Sequence, residues 1–424
     1  MRVLIVNTSE KKGGAALAAN RIMEALNNNG VKAKMLVRDR ETDDITVVGL
    51  SGKMLSRWRF LWERWCIFCH LHFKRERLFD IDIANTGHDI TSLPEFKEAD
   101  VIHLHWINQG MLGLSDIKKI LNSGKPVVWT MHDLWPATAI CHYSRGCHKF
   151  HSGCGNCRLL PNGGGDNDLA AKVWRKKKAI LRNNNISFVT CSQWLGNQAK
   201  LSGLLQGQRV ASIPNAIDTQ RFCPSDKAEA RLQLGLPSDK RLILFVSQRV
   251  TDERKGMSYF VDAIEKLAAA HPEMKESAGI VVLGGHAEDV ADQLALPVYP
   301  LGYVSDPKKI VSVYNSVDIF VLPSLEDNLP NTIMEAMACG VPCVGFRTGG
   351  IPEMIDHRKN GYVADYRDCK DLAQGILCVL DDANYALMSA EAVRKVQRTY
   401  SRQAVAMKYI EVYNHALAFK HYKI

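Results

Sequence analysis

Two doubly wound α/β units in tandem are what the sequence predicts, and three observations carry the prediction. The chain has 424 residues, more than one domain of about 100 to 200 residues accounts for, so two or three domains are expected. Hydrophobic residues make up 46% and charged residues 23%, close to the soluble globular average, which excludes wholesale disorder and leaves enough apolar side chain to fill a core in each domain. Along the whole length, short apolar runs closed by turn residues alternate with longer stretches of helical period. That is the sequence form of a parallel sheet with crossover helices.

Taken in order, the first half offers strands at Val3 to Val6, Ala33 to Val37, Val101 to Leu104, Val127 to Met131, Phe188 to Cys191 and Val210 to Ile213. The second offers Leu242 to Val246, Ile280 to Leu283, Val298 to Leu301, Ile319 to Leu322 and Pro342 to Gly345. Helical patterns run between them, among them Ala15 to Asn28, Tyr259 to Ala269 and Asn331 to Ala338. The join is placed near Ile213 to Asp218, because a polar stretch without a strand follows until Leu242. This gives domains 1–217 and 218–400. The final segment, 401–424, repeats Val405, Tyr409, Val412, Tyr413 and Leu417 at helical spacing; its period does not say which domain receives it, and a return to the first is one outcome. Two such units are expected to face each other across a cleft at the carboxyl ends of their strands, where this architecture binds ligands.

Lys and Arg number 54 against 45 Asp and Glu, for a formal charge of +9, a modest excess that permits an anionic partner without naming one. The charge is concentrated. Between Lys53 and Arg77 stand seven basic residues against Glu63 and Glu76, interleaved with Trp58, Phe60, Trp62, Trp65, Phe68 and Phe73. No apolar run approaches the roughly 18 residues of a membrane span, and Val3 to Val6 is too short for a signal peptide, so a cytoplasmic protein is expected. The 12 cysteines fit a reducing compartment better than a disulfide framework. Four of them cluster at Cys141, Cys147, Cys154 and Cys157.

Residues able to carry chemistry sit after strands. Gly13-Gly14 follows the first strand and opens a helix, so a backbone there can approach an anion closely; a plain tight turn is the alternative. His132 ends the strand before Asp133-Leu134-Trp135-Pro136, placed to meet a ligand hydroxyl or to serve structure alone. Arg249 and Lys255 stand six residues apart on a strand-to-helix loop, which suits a diphosphate through a fork and a point charge or forms a solvated basic loop. After Ile319 to Leu322 comes Pro323-Ser324-Leu325-Glu326-Asp327-Asn328-Leu329-Pro330-Asn331-Thr332, then Glu335 two turns on, and Gly340 where the helix stops. Carboxylates accept from vicinal hydroxyls, so this pattern suits a ribose and a sugar, and the helix amino end suits phosphate. Gly349-Gly350-Ile351-Pro352-Glu353 adds another close-approach loop.

The segment Ser324 to Pro342, with Gly349 to Glu353 and Asn360-Gly361, resembles the signature of retaining glycosyltransferase family 4, whose fold is GT-B, and the resemblance runs over essentially the whole chain. It implies a hexosyltransferase using a nucleoside-diphosphate sugar, with no cofactor required for catalysis. The family's Glu, seven residues, Glu motif appears with Asp327 as its first acid and Glu326 beside it, which leaves open which of the two meets the sugar. By resemblance Arg249 and Lys255 hold the diphosphate, Glu335 the ribose and Asp327 the sugar hydroxyls. Gly13 and Gly14 lie near the phosphates and acceptor, His132 contacts the donor sugar, and Tyr303 and Val304 meet the base. Asn328, Leu329, Asn331 and Thr332 complete the donor-binding set.

The cysteine cluster resembles an insertion, 141–157, in bacterial polysaccharide glycosyltransferases of that family. Four thiolates there suit a structural zinc; His142, His148 and His151 compete as ligands, and paired or free thiols are the alternative. The segment 53–77 suits an anionic membrane surface carrying a polyprenyl-diphosphate-linked or saccharide acceptor, or else a helix packed on the first domain with its basic face in water. The expectation is a transferase of bacterial surface or exported polysaccharide, such as capsule or exopolysaccharide, peripheral on the inner face of the cytoplasmic membrane. An epimerase or phosphorylase on the same fold is the second reading, and a zinc-containing polyanion binder the third; a nucleic-acid partner is not expected.

Overall fold

The structure is a computed structural model that describes residues 1–182 and 184–421; the last three residues of the segment 401–424 lie outside them. The chain divides into two compact units, Met1–Ala216 together with the chain from Arg402 onward, and Ile217–Ser401.

The first unit is built on β1 (Arg2–Ser9), β2 (Lys32–Asp39), β3 (Val47–Gly49), β4 (Val101–Leu104), β5 (Val127–Met131), β6 (Ile186–Thr190) and β7 (Arg209–Ser212), all parallel, in the order β3-β2-β1-β4-β5-β6-β7. Its helices are α1 (Gly14–Asn27), α2 (Lys53–His70), α3 (Pro94–Glu98), α4 (Leu114–Asn122), α5 (Leu169–Leu181) and α6 (Gln193–Leu201). Strands β1, β4 and β5 are buried along nearly their whole length, because helices cover both faces of the sheet; hence they read as continuous apolar runs rather than alternating ones. The direction of winding reverses between β1 and β4, and loops part at such a reversal to leave room at the strands' carboxyl ends.

The second unit holds β8 (Arg241–Arg249), β9 (Ala278–Gly285), β10 (Val298–Gly302), β11 (Ile319–Leu322), β12 (Cys343–Phe346) and β13 (Gly361–Ala364), parallel in the order β10-β9-β8-β11-β12-β13. The helices are α7 (Lys227–Leu234), α8 (Met257–Ala270), α9 (Met274–Ser277), α10 (Pro307–Ser316), α11 (Asn331–Ala338), α12 (Ile351–Met354), α13 (Cys369–Leu380) and α14 (Asp382–Thr399). Its winding reverses between β8 and β11. Strands β3 and β13 were not expected: each is an outermost strand of three or four residues, too short to stand out as an apolar run.

The last helix, α15 (Arg402–His421), belongs to the first unit. Val405, Tyr409, Val412 and Tyr413 lie in one buried cluster with Ile5, Ile22 and Val37, the face that their helical spacing lines up.

Candidate active site

In the second unit, loops leave the carboxyl ends of β8, β11 and β12 on both sides of the reversal and are stitched together. Leu325 N donates to Arg254 O at 2.8 Å, and Gly350 N to Asp327 O at 3.2 Å. Arg254 Nη1 donates to Glu326 O at 3.0 Å. Such approach requires glycine at two points. Gly256 has φ +76°, and a Cβ there would sit 1.9 Å from Pro323 O; Gly349 has φ +54°, and its Cβ would sit 1.7 Å from Asp327 O.

On this scaffold Lys255 Nζ lies 2.6 Å from Asp327 Oδ2. Arg254 Nη1 lies 3.6 Å from the same oxygen, and Ser324 Oγ donates to it at 3.3 Å. Burial pushes the Asp327 carboxyl up, but the charges of Lys255 and Arg254 and the bonds from Lys255 and Ser324 outweigh it and hold the group below the usual range. Asp327 Oδ1 carries no hydrogen bond among the described residues. Glu326 is the less buried of the two acids, and its backbone serves the stitching.

Arg249 ends β8 in the open; Ser247 Oγ fixes its carbonyl at 2.6 Å, and among the described residues its guanidinium forms no ion pair. Glu335 is buried on α11, and its Oε2 accepts from Tyr314 OH at 3.0 Å. Burial and that carboxylate push the Tyr314 phenol well up. Asn328 and Leu329 are buried ahead of α11, whose first turn, opening with Asn331 and Thr332, holds no acid. Tyr303 and Val304 follow β10, at the outer edge of the sheet and two strands from β8; Tyr303 is exposed.

In the first unit Gly13 opens α1 after β1 with φ +89°, and nothing lies within 4 Å of where its Cβ would be. Gly14 is the first residue of α1. His132 follows β5, with Nε2 2.9 Å from His105 Nδ1 and Nδ1 3.5 Å from Cys191 Sγ. Burial carries its imidazole down to about 4. Beside it, Asp133 accepts from Trp106 Nε1 and Trp135 N, both at 2.9 Å. His142 stands between two carboxylates, 2.7 Å from Asp133 Oδ2 and 2.7 Å from Asp82 Oδ2. A cavity of about 220 Å³ opens here, lined by Trp106, Asp133, His142, Tyr143 and Arg145 among others.

The sequence reading did not single out Arg254, Asp133, His103 or His105. The two histidines sit on and just after β4, two residues apart, a spacing that puts them on one face of the strand; that was the available signal.

Among the described residues no group of three or more His, Cys, Asp or Glu side chains is placed to hold a metal ion. Cys141, Cys147, Cys154 and Cys157 are free thiols, and Cys141, Cys154 and Cys157 pack against the apolar core of the unit. Burial pushes Cys141 up to about 11 and Cys154 up to about 12. His142, a competing ligand in the sequence reading, is engaged by Asp82 and Asp133 instead.

Helix α2 is inverted. Its buried face is polar: Glu63 is 0% exposed and accepts from the N–H groups of Ile83 and Ala84 at 3.0 and 2.7 Å, Arg64 binds Asp82, and Ser56 meets His88 at 3.1 Å. Its outer face is apolar, with Trp58 59%, Trp62 43% and Trp65 53% exposed beside Met54, Leu55 and Leu61. Lys53 and Arg57 are exposed among them, and α2 carries no exposed acid. Glu63 and Arg64 are therefore inside, so the helix's charge does not all face outward. Among the described residues no helix is long and apolar enough to cross a membrane.

Comparison with known proteins adds the lineage. Residues 12–221 match the profile described as Glycosyltransferase Family 4, and residues 240–382 that described as Glycosyl transferases group 1. A D-inositol 3-phosphate glycosyltransferase of Corynebacterium jeikeium is 27% identical over 305 residues, 67% of this chain and 64% of that one. The chain spans between about half and two thirds of the length of the first curated relatives it matches. Sucrose-phosphate synthase from Thermosynechococcus elongatus superposes with a TM-score of 0.67 at 19% identity, covering 98% of this chain and 99% of that one. The Anabaena protein HepE in complex with UDP-glucose does so at 0.63 and 16%, covering 98% and 100%. These likenesses show the fold: two Rossmann-like units, the GT-B class.

Proposed function

We propose, because the chain belongs to the family 4, group 1 glycosyltransferases, that it moves a sugar from a nucleoside-diphosphate donor to a saccharide or lipid-linked acceptor. The observation that carries this reading is the cation and acid cluster of Lys255, Arg254 and Asp327 at the reversal of the second sheet, where such sheets take nucleotides. Arg249 and Lys255 neutralise the diphosphate, with the acid-free first turn of α11 adding its dipole. Glu335 accepts from the ribose. Asp327 orients Lys255 through Oδ2 and takes a sugar hydroxyl with Oδ1, with Glu326 at the rim. Tyr303 and Val304 frame the base.

The reaction is read as retaining. The bond from the anomeric carbon to the diphosphate oxygen breaks, the acceptor oxygen bonds to that carbon on the same face, and the acceptor proton passes to the departing diphosphate. Cations preorganised on the leaving group are the main catalytic device. The neighbour bound to UDP-glucose makes UDP-glucose the first donor to try. Incubation of the protein with UDP-glucose and a polyprenyl-diphosphate-linked saccharide, followed by mass spectrometry for the extended acceptor and NMR for the anomer, tests the reading. An extended product of unchanged anomeric configuration supports it; an inverted product removes the retaining mechanism.

The acceptor belongs to bacterial surface or exported polysaccharide in this reading, and α2 supplies the approach. An aromatic stripe among exposed cations, with the only acid of the helix buried, fits the headgroup layer of an anionic bilayer, the inner face of the cytoplasmic membrane.

A further inference from the structure

Donor binding leaves the cavity of about 220 Å³ in the first unit without a use. Phe79, Trp106 and Tyr143 line it, with Asp80, Asp133 and Arg145. Buried charge holds its walls. Arg64, from the inner face of α2, donates through Nη1 to Leu78 O at 2.6 Å and to Ile81 O at 3.3 Å, bracketing the turn that carries Phe79 and Asp80. Its guanidinium carbon stands 5.4 Å from the centre of the Phe79 ring. Arg64 pairs with Asp82, and Asp82 Oδ2 lies 2.7 Å from His142 Nε2. His142 Nδ1 in turn lies 2.7 Å from Asp133 Oδ2, which also accepts from Trp106 Nε1 at 2.9 Å. Trp106 is fixed at its backbone too, its N donating to Asn7 Oδ1 at 2.9 Å. The aromatic and acidic walls are therefore set before any ligand arrives.

Size, wall chemistry and charge together select the occupant. The volume of about 220 Å³ is below the roughly 300 to 1,000 Å³ of pockets for drug-sized ligands, so it admits one ring and not a nucleoside diphosphate. Aromatic side chains beside a carboxylate suit a sugar, whose C–H face packs on the negative face of an aromatic ring while a hydroxyl donates to the acid. Asp133 accepts three bonds, from Trp135 N on Oδ1 and from Trp106 Nε1 and His142 Nδ1 on Oδ2. A carboxylate offers about four acceptor sites, which leaves Oδ1 room for one hydroxyl. Burial pushes the Asp133 carboxyl up, but His142 and the bonds it accepts hold it below the usual range, so it accepts as an anion. The basic side chains of the lining are already on carboxylates: Arg145 Nη2 lies 2.9 Å from Asp80 Oδ2, and both nitrogens of His142 face Asp133 and Asp82. A phosphate on the ring, carrying about −1.5 to −2, would have to displace those carboxylates and then stand beside them.

We propose that this cavity is a subsite for one uncharged pyranose ring of the acceptor, packed on Phe79, Trp106 and Tyr143, with Asp133 Oδ1 accepting from one of its hydroxyls. That the ring belongs to the acceptor rests on the glycosyltransferase reading; that an uncharged sugar binds there does not. Helix α2 serves both ends of such an acceptor. Its inner face clamps the turn that carries Phe79 and Asp80, and its outer aromatic face is the one read as meeting a membrane, which suits a sugar carried on a lipid.

The test is saturation-transfer NMR on the full-length protein, with and without saturating UDP. The methyl glycosides of glucose, galactose, mannose and xylose are the uncharged probes, and D-inositol 3-phosphate and glucuronate the charged ones. The expected result is transfer to at least one uncharged glycoside that UDP does not displace, with Asp133→Asn lowering its affinity about tenfold or more. Because Asp133 is tied into a buried network, Phe79→Ala is the second variant: Phe79 is 60% exposed, and its loss should weaken the glycoside about threefold or more with circular dichroism and UDP affinity unchanged. Transfer that UDP abolishes, or that neither variant changes, puts the sugar elsewhere and overturns the proposal. Tighter binding of D-inositol 3-phosphate or glucuronate than of every uncharged glycoside overturns it as well. A protein that binds UDP but no glycoside removes the subsite and leaves the transferase reading standing. A glycoside sensitive to both variants, on a protein that binds no nucleoside diphosphate, keeps the subsite and removes the donor reading.

Discussion

Lys255 and Asp327 stand 72 residues apart in sequence, and their Nζ and Oδ2 atoms meet at 2.6 Å. Because β8 and β11 are neighbours on opposite sides of the winding reversal, a cation from one loop and an acid from the other share one site. Neither is a plain surface charge: the side chains are 18% and 13% exposed, so each is partly desolvated and their attraction is little screened.

Removing that cation should cost catalysis more than folding. Lys255→Ala is expected to lower turnover by about 10² to 10³, the cost of one preorganised donor to a developing anion. Steady-state kinetics with the donor above saturation would read it. Near-normal turnover would remove Lys255 from the leaving-group site.

Glu335 is expected to act on nucleotide affinity. Glu335→Gln keeps an acceptor for Tyr314 but loses the charge, and a hydrogen bond to a charged group contributes about 1.5 to 3 kcal/mol, so UDP should bind about 10- to 100-fold more weakly. Calorimetric titration checks this, with Tyr314→Phe as the variant that tests whether the shift comes through packing alone.

Acid should weaken the first unit in a defined window. In the unfolded chain an imidazole takes its proton near pH 6.5, whereas folded His103 and His132 do so near 3 and 4. Between those values the unfolded state binds more protons, so stability rises with pH. The contribution is complete above about pH 6.5 and drains as pH falls toward the folded values, at up to about 1.4 kcal/mol per pH unit for each ring. Thermal unfolding at pH 7.5 and 5.0 should show a lower midpoint in acid, and His105→Gln should flatten the dependence. A midpoint that does not move would contradict the buried neutral rings.

Gly349→Ala should destabilise the second unit by about 3 kcal/mol or more, since the added Cβ meets the Asp327 carbonyl in a left-handed conformation. Thermal unfolding reads the loss, and donor binding should fail with it because the same carbonyl anchors Gly350.

The outer face of α2 can be tested on vesicles. Partition onto liposomes of phosphatidylcholine with anionic phosphatidylglycerol should drop more than about tenfold when Trp58, Trp62 and Trp65 are all changed to Ser, with UDP affinity unaltered. Equal partition of both proteins would leave that face without a lipid role.

Much of the fold was legible because strands buried on both faces write themselves as apolar runs. Val3 to Val6, Val127 to Met131 and Ile319 to Leu322 all lie within strands. The outermost strands β3 and β13 were not, since a short strand with one neighbour needs little apolar length. Lys255, Asp327 and Glu335 could be picked out because they follow strand ends, where position alone is informative. Arg254 could not, as a basic loop does not reveal which cation turns inward. Glu63 and Arg64 are buried because Asp82 and two backbone N–H groups wait for them, partners that the helix's own sequence does not show. Cysteine spacing fixes separation along the chain and not in space, and among the described residues no group of three or more potential ligands matches the zinc that the spacing suggests.

The most direct test of the central claim is calorimetric titration of the full-length protein with UDP, and with GDP, ADP and CDP in parallel, repeated for Lys255→Ala. The account predicts that one nucleoside diphosphate binds and that the substitution weakens it at least about tenfold. Absence of binding by all four, or equal affinity in the variant, would contradict the donor site built around Lys255 and Asp327.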